Sequence, residues 1–308
     1  MASNLVQLLD EKIKIENWLS SVWYGSIETR VRTSKKYIYV HYRNKDKLIT
    51  KYAGEYSARL VNIIYENTML AKELKKRLKV VNKQLKTLNY VEKDLKPTAK
   101  NSMNFIKSNL TNLIFNQVLF DDIDISYSSV DSLVQNDSII DLSIYDANKV
   151  ANLKNAWNFI LNKDVINTKL SYALLSQINS LIDTGFSYNA GKLRRIPLQI
   201  ENSSYIPTIP FESSVNENLD LILNTKDKPM DKALNILVYL LRSFVFTNSN
   251  INTALIFVNC YLIKNGLGML SIPYLLKQDL NKYLLDLYEW NEKDSIKKFI
   301  LEHCYFEK

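Results

Sequence analysis

Residues 244–255, Phe244-Val245-Phe246-Thr247-Asn248-Ser249-Asn250-Ile251-Asn252-Thr253-Ala254-Leu255, decide how this chain is read. They lie between two strongly apolar segments, where a helix–loop–helix places a polar loop. Pro229 suits the first turn of a helix that runs to about Phe246. A second helix covers about Asn252 to Lys264 and stops at Asn265-Gly266, a C-terminal helix signal. The loop therefore ends at a helix N-terminus, where Ser249, Asn250, Asn252 and Thr253 supply hydrogen-bonding side chains. Such a terminus either binds an anion weakly or is simply capped by those side chains.

Composition sets the frame around this loop. A chain of 308 residues holds one large domain with an appendage, or two domains. With 46% hydrophobic residues and a mean hydropathy of −0.17 it is not a disordered chain. Six Gly and six Pro disfavour loop-rich all-β or doubly wound architectures. No apolar run approaches the roughly 18 residues of a membrane span, and the stretch from Ala254 to Ile263 is interrupted by Asn259. Met1 to Asp10 lacks a secretory pattern, so a soluble, cytoplasmic protein without membrane contact is expected. Cys260 and Cys304 sit in no CxxC spacing, and His303-Cys304 has no second pair to complete a site. No metal is expected.

Charge divides the chain. Residues 1–100 hold 21 Lys/Arg against 10 Asp/Glu, a net of +11, and residues 101–308 hold 19 against 22, a net of −3. That asymmetry predicts two modules: a basic one over 1–97 and a second over 98–308. In the first, Asn4 to Trp23 has helical apolar spacing. Tyr37 to Tyr42 and Lys47 to Tyr52 read as two strands of a hairpin around Arg43-Asn44-Lys45-Asp46. Leu74, Leu78, Val81, Leu85 and Leu88 then form a short coiled-coil-like seam. Residues 1–100 suit nucleic acid or an acidic partner, or are the solvated face of that helix. The second module reads as mainly α.

Four segments in collinear order carry a resemblance. The loop is similar to His-Pro-Phe-x-Asp-Gly-Asn-Gly-Arg-x-x-Arg, the signature of Fic (Fido superfamily) domains, retaining Phe246 and Asn250. Upstream, Val150 to Trp157 resembles the family's N-L-x-x-A helix, and Gly185 to Arg195 its glycine-rich segment before the flap. Downstream, Lys264 to Pro273 resembles the helix end behind the catalytic loop, so the likeness spans residues 102–290. It implies a Fic-like helical bundle with a β-hairpin flap at 196–210, preceded by a helix–β-hairpin–helix module. Gly25 to Ser57 also resembles a small β-module found ahead of some Fic domains.

The same resemblance implies loss of the family's AMP transfer. Phe244 stands at the general base and accepts no proton. Asn248 replaces the Mg²⁺-holding Asp. Ser249 and Ile251 replace the phosphate-wrapping glycines, and Ile resists positive φ. Asn252 and Leu255 replace the two phosphate-binding Arg residues. The stretch Phe115 to Asp124 lacks the family's inhibitory (Ser/Thr)-x-x-x-Glu-(Gly/Asn) pattern. No cofactor is expected, with at most weak ATP and Mg²⁺ binding through Asn248, Ser249, Asn250, Asn252 and Thr253.

The resulting expectation is a catalytically silent Fic-fold pseudoenzyme that acts by binding a protein partner, through flap 196–210, in regulation or a toxin–antitoxin or defence pair. One alternative is a rebuilt transferase in which Lys192, Arg194, Arg195 and Arg242 supply new cations at the cleft. The other is nucleic-acid binding through residues 1–100.

Overall fold

The computed structural model describes residues 2–44 and 47–307, and they fall into two compact units, Ser3–Val91 and Glu92–Lys308. The fold is mainly α, with two small sheets. No helix among the described residues is long and apolar enough to cross a membrane.

The first unit runs α1 (Ala2–Ser21), β1 (Ser26–Arg32), β2 (Lys35–Asn44), β3 (Lys47–Glu55) and α2 (Ala58–Thr87). The apolar stripe of α1 buries Leu8 and Leu9 against Val81 and Leu85 of α2, so the seam finds its partner within the chain. Glu11 and Arg77 join the same two helices at their surface, Arg77 Nη2 donating to Glu11 Oε2 at 2.8 Å. The strands form an antiparallel sheet in order β1-β2-β3, with Ile38 and Val40 packed on Ile64 of α2. A hairpin of two strands was expected; Ser26–Arg32 adds a third. The β1–β2 turn is closed by Thr33 and Ser34 at φ 47° and 65°, a conformation normally signalled by Asn or Gly, so these two residues carry no turn cue. The Lys45-Asp46 part of the expected second turn lies outside the described residues.

The second unit starts with α3 (Pro97–Ser108), α4 (Leu110–Phe120), α5 (Tyr127–Asn136), α6 (Ile144–Ile160), α7 (Lys163–Ile166) and α8 (Tyr172–Ile182). After a long irregular stretch come α9 (Glu212–Leu223), α10 (Pro229–Ser243), α11 (Asn250–Asn265), β4 (Met269–Leu270), α12 (Lys277–Trp290), α13 (Asp294–His303) and β5 (Tyr305–Phe306), with β4 and β5 paired. Every residue of α11 from Asn252 to Ile263 is buried, and the helix packs on α3, α6, α8 and α10. A helix enclosed on all sides is the core of its domain. The polar Asn259 fits there because it is satisfied: Nδ2 donates to the Leu255 and Leu270 carbonyls, and Oδ1 accepts from Leu270 N–H. Gly266 ends the helix at φ 70°, its N–H on Ile263 O and Leu267 N–H on Leu262 O.

The stretch expected to be a flap hairpin, 196–210, carries no strand ladder. Pro197, Pro207 and Pro210 lack the N–H that a ladder needs. The carbonyls of Ile196, Pro207 and Thr208 are instead taken by one side chain, Arg194. The two legs of the segment are thus held by a guanidinium.

Candidate functional site

The loop between α10 and α11 is built by the two residues that match the signature. Phe246 is buried and stacks on Tyr172, with centroids 6.4 Å apart and planes 24° from parallel. Asn250 clamps the turn from both sides: its Oδ1 accepts from Phe246 N–H at 3.0 Å, and its Nδ2 donates to Phe246 O at 2.8 Å. Asn179 of α8 ties the loop down by donating to Asn248 O and Thr253 Oγ1, while its Oδ1 accepts from Gly191 N–H. The surviving signature residues are those that shape the backbone.

A cleft of about 730 Å³ opens over this loop. Asn248, Ser249, Asn250, Ile251 and Asn252 form its floor, with Phe244 and the segment Leu198–Glu201 also lining it. Phe244 caps α10 in the left-handed region, φ 45° and ψ 59°, and its ring lies 5.3 Å from that of Tyr288. It presents no proton acceptor to the cleft. Ser249 keeps the positive φ of a glycine, 54°, and its Oγ donates to Asp183 Oδ1 at 2.7 Å. Ile251 corrects a sequence expectation. It sits in the first turn of α11, outside the positive-φ residues, so conformational resistance is not its effect. Its side chain lines the cleft instead, occupying space that a glycine would leave open. Thr253 is buried against Asn179 rather than placed in the cleft lining with the other four loop residues.

Besides Glu201 of the 196–210 segment, the cleft is lined by three charged residues that were not singled out from the sequence: Asp121, Lys149 and Asp183. Asp121 closes the C-terminus of α4, and Asn252 Nδ2 donates to both its carboxylate oxygens at 3.1 Å. The stretch Phe115–Asp124 therefore does deliver a carboxylate to the loop, although the inhibitory pattern is absent from it. Partial desolvation of the Asp121 carboxyl against the cleft wall pushes it up to about 6, opposed by Lys149 and reinforced by Asp183, while the residue as a whole stays exposed. Asp183 is itself buried, and burial raises its pKa against the bonds from Ser249 and Asn179. Lys149 lies 4.4 Å over the Phe186 ring, which meets Tyr145 edge-on at 5.0 Å. The signal for Lys149 and Asp183 was their place beside the segments Val150–Trp157 and Gly185–Arg195.

The four cations named as replacements do not converge on the cleft. Arg194 is 1% exposed and engaged with carbonyls: Nε with Phe244, Nη1 with Ile196, Nη2 with Pro207 and Thr208. Arg242 donates to Leu287 O, Tyr288 O and Tyr205 Oη, and stacks 4.0 Å over the Tyr205 ring, in a separate cavity of about 590 Å³. Lys192 donates to Tyr188 O, and Arg195 is exposed. Neither lines the cleft. Arginines chosen for nearness in sequence serve the backbone around the loop. Among the described residues, no group of three or more His, Cys, Asp and Glu is placed to hold a metal ion.

The architecture is shared with solved structures. Fic-1 from C. elegans superposes with a TM-score of 0.53 at 16% identity, over 80% of this chain and 74% of that one. A Fic domain containing signaling protein from Bacteroides thetaiotaomicron gives 0.55 at 17%, over 71% and 88%. A Fic family protein from Desulfovibrio desulfuricans gives 0.53 at 11%, over 69% and 73%. No family model matches the sequence, and no curated protein matches it. The chain has the Fic fold.

Proposed function

We propose that this chain is a catalytically silent Fic-fold protein that acts by binding a protein partner. The content of the cleft carries this reading. Phe244 occupies the place of the base, and the carboxylates of Asp121 and Asp183 face the loop that would cradle phosphates, with Lys149 as the lining cation. Phosphoryl-type transfer depends on several cations and oriented donors at the developing charge, and among the described residues that line the cleft Lys149 alone is a cation. The first turn of α11 carries no side-chain cap, and Ile251 and Asn252 line the cleft in front of it.

The segment 196–210 is the favoured partner surface. Ile196, Ile206 and Ile209 are exposed along it, and neighbouring Phe211 is 66% exposed. Its prolines and the carbonyls held by Arg194 leave few main-chain groups for a partner strand, so the exposed apolar side chains are what a second polypeptide would cover. A regulatory pairing with an active enzyme of the same fold fits a protein that keeps the frame without the chemistry. Calorimetric titration with ATP and Mg²⁺ tests the reading: no heat of binding is expected at submillimolar nucleotide, whereas micromolar binding contradicts it.

A further inference from the structure

We propose that the outer face of the β1–β2–β3 sheet is a platform for single-stranded nucleic acid. Strand alternation puts Ile38 and Val40 on α2, which leaves Tyr37 and Tyr39 of β2 on the opposite face beside Tyr52 of β3. The Tyr52 ring lies 6.1 Å from that of Tyr37 and 5.6 Å from that of Tyr39, and Tyr52 is 52% exposed. Packing does not require these rings, since the sheet's core is on its other side. Arg30 of β1 sits 4.4 Å over the Tyr39 ring.

Alternation brings Arg32, Lys35 and Arg43 to the same face. Two carboxylates share it: Glu28, bonded to Arg30 and to His41 Nε2, and Glu55, paired with Lys35 at 3.1 Å. Four cations against two carboxylates keep the face basic, within a segment whose net charge is +11. An exposed Tyr52 ring flanked by the half-buried Tyr37 and Tyr39 and bordered by cations matches a strand that offers bases to stack and phosphates to neutralise. Ring faces at a sheet surface can stack only on bases whose own faces are free, which unpaired strands offer and a duplex buries in its stack.

Fluorescence anisotropy on the full chain tests this, with labelled oligo-U and oligo-dT of about 20 nucleotides and a duplex of equal length. Single strands are expected to bind at least tenfold tighter than duplex, weakening steeply between about 50 and 200 mM salt. Tyr39→Ala with Tyr52→Ala is expected to weaken binding about tenfold or more, and Tyr39→Phe with Tyr52→Phe to keep it, because stacking needs the ring and not the hydroxyl. Circular dichroism of both double variants checks that the sheet persists. Four results would each overturn the proposal: no binding at low salt, equal binding of duplex, indifference to the alanine pair, or loss with the phenylalanine pair in a folded protein. Binding to anionic vesicles or an acidic peptide without oligonucleotide binding overturns it as well, in favour of a purely electrostatic partner.

Discussion

Phe246 and Asn250 hold the loop backbone by packing and by a two-sided hydrogen-bond clamp, while the positions around them have lost groups that handle phosphate. Restoring one such group is therefore insufficient. Phe244→His is expected to yield no nucleotide transfer, because Ile251, Asn252, Leu255 and Asp121 still oppose phosphate; gel autoradiography with labelled ATP is the check. Asp121 gives a pH-dependent prediction. Its folded pKa, about 6, exceeds the ordinary value of 3.8, so the native state holds its proton more tightly. Between these two values stability falls as pH rises, and the cost is complete above about 6. Asp121→Asn removes that cost and offers a donor to Asn252 Oδ1, which is buried without a partner. A gain of about 1 kcal/mol is expected near pH 7.5, discounted for the residue's remaining solvent contact, and it should vanish toward pH 4. Thermal melts of both proteins across that range read the difference. At this scale the loop residues were legible, since a motif names positions. The facing residues Asp121, Lys149 and Asp183 come from α4, α6 and α8, and only the fold brings them together.

Arg194 shows what an element-level reading misses. A basic residue ahead of a degenerate phosphate loop suggested a replacement cation, yet it holds four backbone carbonyls and shapes the segment that was expected to be a hairpin. Arg194→Met should cost about 3 kcal/mol by leaving those carbonyls unpaired, and should speed proteolytic cutting within 196–210. Urea melts and a cleavage time course measure the two effects. Gly266 sets the end of α11, and an added Cβ would lie 2.6 Å from Thr98 Cβ in a positive-φ conformation. Gly266→Ala is expected to destabilise by about 2 kcal/mol, readable in the same melts. Here the sequence was a good guide, because Asn265-Gly266 is a local stop signal. The flap was not legible, since long-range bonds from one side chain replaced the ladder. The strand β1 escaped because Thr33 and Ser34 adopt a turn that other residues usually mark.

Across the whole molecule, charge and fold divide at nearly the same place. The basic unit, Ser3–Val91, carries the tyrosine face, and Glu92–Lys308 carries the cleft. Val91 to Asp94 is exposed and precedes α3, so limited trypsin digestion is expected to cut first around Lys93 and Lys96. Early cuts inside α11 would contradict its place as the buried core of the second unit. The Fic architecture was readable from collinear fragments, none of which suffices alone, because a helical bundle is fixed by the order and spacing of its segments. What the bundle does is governed by the few groups facing the cleft. The most direct measurement is transfer itself: the full chain, labelled ATP, Mg²⁺ and a mixture of candidate protein acceptors, followed by gel autoradiography. No label is expected on the chain or on any acceptor, and label that depends on this protein would overturn its assignment as catalytically silent.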